Sequence, residues 1–387
     1  MASLTLPIRK PAARLRGRTG LGARAGLSLL TAALALSGCL SQDENVPPPR
    51  PEKAFLFSVN VSADYKAGSY SAFGIDSAFA EKTITSTHSD AVARYLGGDD
   101  IYVINRLGRD NLQVVDRHNL RTVLQFAFDA LSNPYDVELK DSLLYVSFLG
   151  TDKIGVYDQY TGTSKGSIDL SAFADTSDKL PETSSLLFID GDLYAITANL
   201  DTKNGWVPLT AHLLKIDVAT RQVTRSLELP YGNPAGMSYD SASGKLYIPC
   251  RGLYSDETYA VETDGGIVGI DLASFTVADT LATELALGGN VNATQLYRGQ
   301  LFMDLGTDAA EKIVAISLKD GKARNIVELG PYAVGDIAID APTASLFIAD
   351  RSFGAASLRI FDADTFTERP ESKVDLGMPP SSLAIIR

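Results

Sequence analysis

One phrase, repeated seven times, constrains this chain more than anything else in it. Ile101-Tyr102-Val103-Ile104-Asn105 is followed nine residues later by Val114-Val115-Asp116. The same pair, an apolar-aromatic-apolar triplet and then an apolar pair closed by Asp, recurs to the end of the chain. The aromatic anchors are Phe57, Tyr102, Tyr145, Tyr194, Tyr247, Phe302 and Phe347, spaced 45, 43, 49, 53, 55 and 45 residues apart. The closing positions are Asp76, Asp116, Asp158, Asp217, Asp271, Ser317 and Asp362. A period in the forties with two or more strand signals per unit marks one blade of a propeller. Seven units predict an all-β, seven-bladed β-propeller over residues 53–387.

Alternation and turn residues divide each unit into four antiparallel strands. In the third unit these are Asp136 to Leu139, Leu143 to Ser147, Ile154 to Tyr157 and a stretch near Ser167 to Leu170. Short turns join the first and second strands, as at Lys140-Asp141, Gly97-Gly98-Asp99 and Asp190-Gly191-Asp192. Asp and Gly supply the positive φ that hairpins demand. The Asp closing each third strand opens the next turn, where its carboxylate accepts from following amides, so its recurrence is structural rather than catalytic. The two chain ends complement each other. The first copy begins directly with a second-strand phrase, Ala54 to Val59, and the last is followed by a surplus first-strand phrase, Pro379 to Ile386, equivalent to Asn133 to Leu139. Leu383 to Ile386 is therefore expected to pair antiparallel with Phe55 to Val59, completing the first blade and removing open sheet edges.

The first 38 residues read differently. Six basic residues and no acidic one precede an apolar run, Ala25 to Leu36, that is too short to span a membrane and reads as a secretory signal. Leu36-Ser37-Gly38-Cys39 ends the run and resembles the lipobox of bacterial lipoproteins, which implies cleavage before Cys39 and its lipidation. Leu40, where an Asp would resemble an inner-membrane retention signal, favours the outer membrane, periplasmic or surface-exposed. Residues 39–52, with Pro47, Pro48, Pro49 and Pro51, are an extended tether. Loss of the leader takes the formal charge from −12 to about −18, which disfavours nucleic-acid partners. Cys250 would then be the one thiol left unmodified, so no internal disulfide is expected; beside Tyr247 and Ile248 it reads as a small buried hydrophobe.

Tyr102-Val103-Ile104-Asn105 matches the tetrapeptide of the YVTN-repeat propellers at three of four places, and Tyr145-Val146-Ser147 at two. The resemblance implies a seven-bladed export-compartment protein, but the motif is architectural and carries no catalytic residue across.

Loop lengths say more about function. Connections between second and third strands are long at Asn60 to Ala72, Ala198 to His212 and Pro249 to Gly266, as is the inter-blade link Ser171 to Ser185. In a four-stranded meander all of these emerge on one rim, the expected binding face. It carries Tyr65, Tyr70, Trp206, His212, Tyr254 and Tyr259. Arg106, Arg251 and Arg351 each stand four places after a strand-two aromatic, with Arg109 nearby. Three guanidiniums at equivalent positions converge on one anion, or each pairs with Asp110, Asp256 or Asp350 and braces its loop. Trp206 serves as a stacking platform or as a staple for its loop. The three histidines have no metal-ligand spacing, and HExxH and CxxC are absent.

The expected function is a lipid-anchored, non-enzymatic binding module without cofactor, attached to the membrane at Cys39 and using its long-loop face for a small molecule or an envelope protein. The candidate ligand-binding residues are Arg106, Arg109, Trp206, His212, Arg251, Tyr254 and Arg351. The layout is similar to that of corrinoid-capturing surface lipoproteins, which implies an outer-membrane transporter as partner. Two alternatives stand beside it. One is an enzyme resembling propeller lactonases or quinoprotein-like oxidoreductases, with Asp304, Asp350, Asn105 and Asn60 near the channel mouth as ligands to a hard cation. The other is a structural envelope protein.

Overall fold

The computed structural model describes residues 53–77, 79–253 and 262–387. The leader, Cys39 and the tether, together with Tyr254, Asp256 and Tyr259, lie outside the described residues. Seven antiparallel sheets follow one another, each built outward from its innermost strand. Blade 2, the simplest, runs Ala91–Tyr95, Asp100–Asn105, Asn111–Asp116, Thr122–Ala127. Blade 3 is Pro134–Lys140, Leu143–Phe148, Lys153–Asp158, Ser164–Asp169, and blade 4 is Thr183–Ile189, Asp192–Thr197, His212–Asp217, Gln222–Glu228. Blade 5 is Ser238–Asp240, Lys245–Cys250, Gly266–Asp271, Thr276–Thr283, and blade 6 is Asn290–Tyr297, Gln300–Gly306, Glu311–Ser317, Ala323–Leu329. Blade 7 has three strands, Val334–Asp340, Ser345–Asp350 and Ser357–Asp362, and its outer position holds only the isolated bridges Leu358–Val374 and Phe361–Glu368.

Blade 1 closes the ring as the sequence predicts. Its order is Pro380–Ile386, Phe55–Val61, Gly68–Gly74, Ala80–Thr87, with Phe55 opposite Ile386 and Ser58 opposite Leu383. Arg387 then fixes the tail: its guanidinium donates to both oxygens of buried Asp340 at 2.6 Å each.

The apolar runs of the second strands follow from the stacking. Ile101 and Val103 pack into a cluster shared with blade 1, whereas Tyr102 and Ile104 pack into one shared with blade 3. A sheet buried on both faces loses polar alternation, as these strands do. Each pair of neighbouring blades shares one hydrophobic cluster, and the closing one joins Leu56 and Leu383 of blade 1 to Phe347 and Leu358 of blade 7. Full burial of each such side chain contributes about 1.5–3 kcal/mol. Stability is thus spread around the ring and depends on its closure.

The recurrent Asp residues act in turns. Asp116 accepts from the amides of His118 and Asn119, Asp158 from Tyr160 and Thr161, and Asp217 from Ala219 and Thr220. One loop is shorter than expected. Asn60 and Ala72 lie within strands, leaving residues 62–67 as the turn, and Tyr70 is fully buried. Its ring packs 4.9 Å from Phe57 and its hydroxyl donates to the Leu120 carbonyl at 2.8 Å. That burial overrides the weak strand propensity of the Gly and Ser around it. Among the described residues no helix is long and apolar enough to cross a membrane.

Candidate functional site

The two rims differ in character. The rim of strand-one-to-two and strand-three-to-four turns is polar, with Tyr160 its exposed large side chain. The opposite rim, of strand-two-to-three loops and inter-blade links, exposes Tyr65, Leu107, Leu131, Trp206, Leu209, Leu285, Tyr332 and Phe353. Apolar side chains gathered on one rim mark an interaction face more readily than the same number scattered singly.

Three connected hollows open on this face, walled by the first residues of the innermost strands and by the long loops. The largest, about 580 Å³, is lined by Tyr135, Ser184, Asn233, Pro234, Arg251 and the 198–206 insert. A second, about 300 Å³, lies among Arg251, Asn292, Asp304, Glu311 and Asp336. A third, about 490 Å³, holds Tyr65, Asp90, Arg94, Arg106, Tyr135 and Arg351. Arg251 is common to the first two, and Tyr135 to the first and third.

The insert is built to present Trp206. Asp201 accepts from the amides of Lys203 and Asn204, Gly205 adopts φ +83°, and Leu200–Asp201 pairs with Val207–Pro208. Trp206 itself sits at φ +63° with its amide donating to Asp201 O at 2.9 Å, and it is 59% exposed. A staple would be buried; the Trp206 indole instead stands open beside the 580 Å³ hollow.

Tyr135 is the electrostatic centre of the mouth. The Arg106 guanidinium lies 4.9 Å above its ring. Burial raises the phenol, but Arg251 and Arg106 outweigh it and hold Tyr135 below its usual value. Arg106 is fixed by Asp90, its Nε donating at 3.0 Å. Nε of Arg251 is buried without a hydrogen-bond partner among the described residues. Arg351 lies 5.1 Å over the Tyr65 ring.

Below the mouth, carboxylates tie blades together. Asp136 receives Arg94 Nε at 2.7 Å and, across the blade boundary, the Leu186 amide at 3.0 Å. Asp336 likewise accepts from Leu383 N at 2.9 Å. Asp304 differs: it is 5% exposed, and its Oδ1 has no hydrogen-bond partner among the described residues. Burial, then Glu311, push its carboxyl well above the ordinary range. Burial raises Glu311 too, although its carboxylate accepts from Val334 N.

The predicted residues divide accordingly. Arg106, Arg251, Arg351 and Trp206 come together around the mouth. Arg109 is exposed at a loop tip, its carbonyl accepting from Asn111. His212 begins the third strand of blade 4, packs against the Phe173 ring at 5.7 Å, and is lowered by burial, so it faces an inter-blade seam rather than the hollows. The local bracing pairs differ from expectation: Arg106 uses Asp90, Asp110 accepts from Leu131 N and Asn133 N, and Asp350 accepts from Ser352 N. The expected cation set disperses, because Asn60 bonds Ser71, Asn105 accepts from Thr87, and Asp304 alone of the four lines a hollow. Among the described residues no group of three His, Cys, Asp or Glu converges to hold a metal ion. Sequence reasoning missed Tyr135 as a site residue; its signal was its place at the head of an innermost strand, where seven strands converge.

No protein-family model matches this chain, and no curated protein does. Among solved structures, a candidate 6-phosphogluconolactonase from Bacteroides fragilis is similar at a TM-score of 0.61 and 12% identity, covering 88% of this chain and 100% of its own. One from Bacteroides uniformis gives 0.60 and 12%, covering 87% and 100%. A protein of unknown function from Desulfotomaculum acetoxidans gives 0.55 and 12%, covering 86% and 99%. At such identities the similarity is one of fold.

Proposed function

We propose that the long-loop face captures a small organic anion with an apolar or aromatic portion, without transforming it, in a protein held at the bacterial outer membrane by lipidated Cys39. One observation carries the reading: the 580 Å³ cavity is lined both by an open indole, Trp206, and by Arg251, whose buried Nε has no hydrogen-bond partner among the described residues. Drug-sized ligands occupy pockets of about this volume, with apolar walls and a few placed polar groups. The volume favours a ligand smaller than a corrinoid. The anchor reading is supported by the lipobox-like Leu36-Ser37-Gly38-Cys39 at the end of the apolar run.

Calorimetric titration of the purified protein with phenylpropionate tests the capture reading. Binding is expected, with at least a tenfold loss in Arg251→Gln and a smaller one in Trp206→Ala; absence of binding at millimolar ligand overturns it. Radiolabelled palmitate incorporation that persists in Cys39→Ser would remove the anchor.

A second reading, lactone hydrolysis, is favoured by the raised carboxyls of Asp304 and Glu311, since a protonated acid near the mouth is what a general acid requires. The fold shared with candidate 6-phosphogluconolactonases is consistent with it. Proton release on incubation with a sugar lactone, lost in Asp304→Asn, would establish it, and a rate equal to the spontaneous one would remove it.

A further inference from the structure

Arg251 is shared by two hollows, and the smaller one contains a carboxyl that Asn292 bonds but does not fully satisfy. Asp304 projects from the second strand of blade 6 into a chamber of about 300 Å³. It is 5% exposed, and among the described residues Oδ1 has no hydrogen-bond partner. Leaving a buried polar atom unpaired costs about 1–3 kcal/mol, more if it is charged, and native structures hold few such atoms without a reason. The neighbouring acids do have uses in the fold: Glu311 accepts from Val334 N and Asp336 from Leu383 N. Arg251 lies close enough to Asp304 to attract its carboxylate, yet no ion pair closes between them, and Arg251 Nε is itself unpaired among the described residues. An acid and a guanidinium thus line one chamber without pairing, each with a polar atom to spare among the described residues. The molecule that satisfies both carries the complementary charges a few ångströms apart.

We infer that the ligand is a zwitterion: an α-amino acid with an apolar or aromatic side chain, its carboxylate on Arg251, its ammonium on Asp304, and its side chain lying against Trp206 in the larger cavity. This rests on the anion-capture reading above and extends it to the ligand's other end. A metal ion fits less well, because no three ligating groups converge among the described residues and the chamber is far larger than an ion. Burial and the nearby Glu311 and Asp336 outweigh Asn292 and Arg251 and raise the Asp304 carboxyl well above the ordinary range, which favours its protonated form in the free protein. Asp308 and Tyr332 also line the chamber. Arrival of an ammonium group favours the carboxylate, so the carboxyl gives up its proton to solvent as the ion pair forms, and binding should release up to one proton per ligand.

The test is calorimetry on the purified full-length protein with three matched probes, phenylalanine, phenylpropionate and phenethylamine, in two buffers of different ionisation enthalpy. Phenylalanine is expected to bind at least tenfold more tightly than either singly charged probe, with a buffer-dependent heat that reports proton release. Asp304→Asn should bring phenylalanine to the affinity of phenylpropionate and abolish the buffer dependence. If phenylpropionate binds and phenylalanine binds no better, or if Asp304→Asn preserves the ratio, the zwitterion inference falls and anion capture stands. If no probe binds, both fall. Should Asp304→Asn fail to fold, the unaltered protein decides, because tight phenylalanine binding without proton release also overturns the inference.

Discussion

Removal of residues 380–387 should abolish the cooperative fold rather than trim its stability. The segment supplies the innermost strand of blade 1, and Leu383 and Ile386 are 6% and 0% exposed in two different inter-blade clusters. Truncating a buried Leu or Ile to Ala costs about 2–5 kcal/mol, so the two together account for roughly 4–10 kcal/mol before any backbone hydrogen bond is counted. A folded chain has about 5–15 kcal/mol in total. Loss of the segment also strips buried Asp340 of Arg387 and takes from Tyr95 and Arg117 the terminal carbonyl to which they donate. Circular dichroism melts of Leu383→Ala and Ile386→Ala should show graded decreases, about 1–3 °C per kcal/mol for a chain of this size. The truncated chain should show no sharp transition, and a synthetic peptide of residues 379–387 added in trans should restore one. A truncated protein that melts cooperatively within about 2 °C of the parent would refute the claim that the ring depends on its tail.

Three further outcomes are expected. Asp136→Ala should lower stability in urea by about 2–4 kcal/mol, because it leaves the Leu186 amide and Arg94 without their inter-blade acceptor; a change below about 0.5 kcal/mol would show that water replaces it fully. Burial pushes Glu182 and Glu138 up to about 8 and Glu284 up to about 7. The native state therefore binds more protons than the unfolded one above the ordinary glutamate value, so these groups favour folding at acidic pH and that contribution is lost as pH rises toward 8. Melting temperature should fall between pH 5 and pH 8, and Glu182→Gln, whose Oε1 is unpaired in the parent, should flatten the slope; a rising profile would contradict the assignment. Cys250 is fully buried and its thiol is pushed up by burial, so it should react with maleimide only after denaturation.

Much of this architecture was readable because its causes are local. A second strand such as Leu143–Phe148 needs apolar residues on both faces, and the turn after the third strand needs an acceptor such as Asp158, so each blade repeats its chemistry at a fixed period. The site was less legible. Arg106 and Arg251 were visible as equivalent positions, but their partners were not: Asp90 lies sixteen residues before Arg106, and Tyr135 belongs to the neighbouring blade. His212 looked like a rim residue because it ends a long loop, yet strand pairing with Thr197 and Glu228 draws it into a seam. Tyr70 went the same way, pulled from its expected loop by packing on Phe57.

The order of strands, the number of sheets and the mending of the first sheet by the last strand were set by the sequence alone, since periodic burial and turn chemistry act over a few residues. Which side chains meet at the centre was decided by the ring. Seven innermost strands from distant parts of the chain converge there, and only their common geometry leaves Arg251 between Tyr135 and Asp304, with one carboxyl oxygen buried and unpaired.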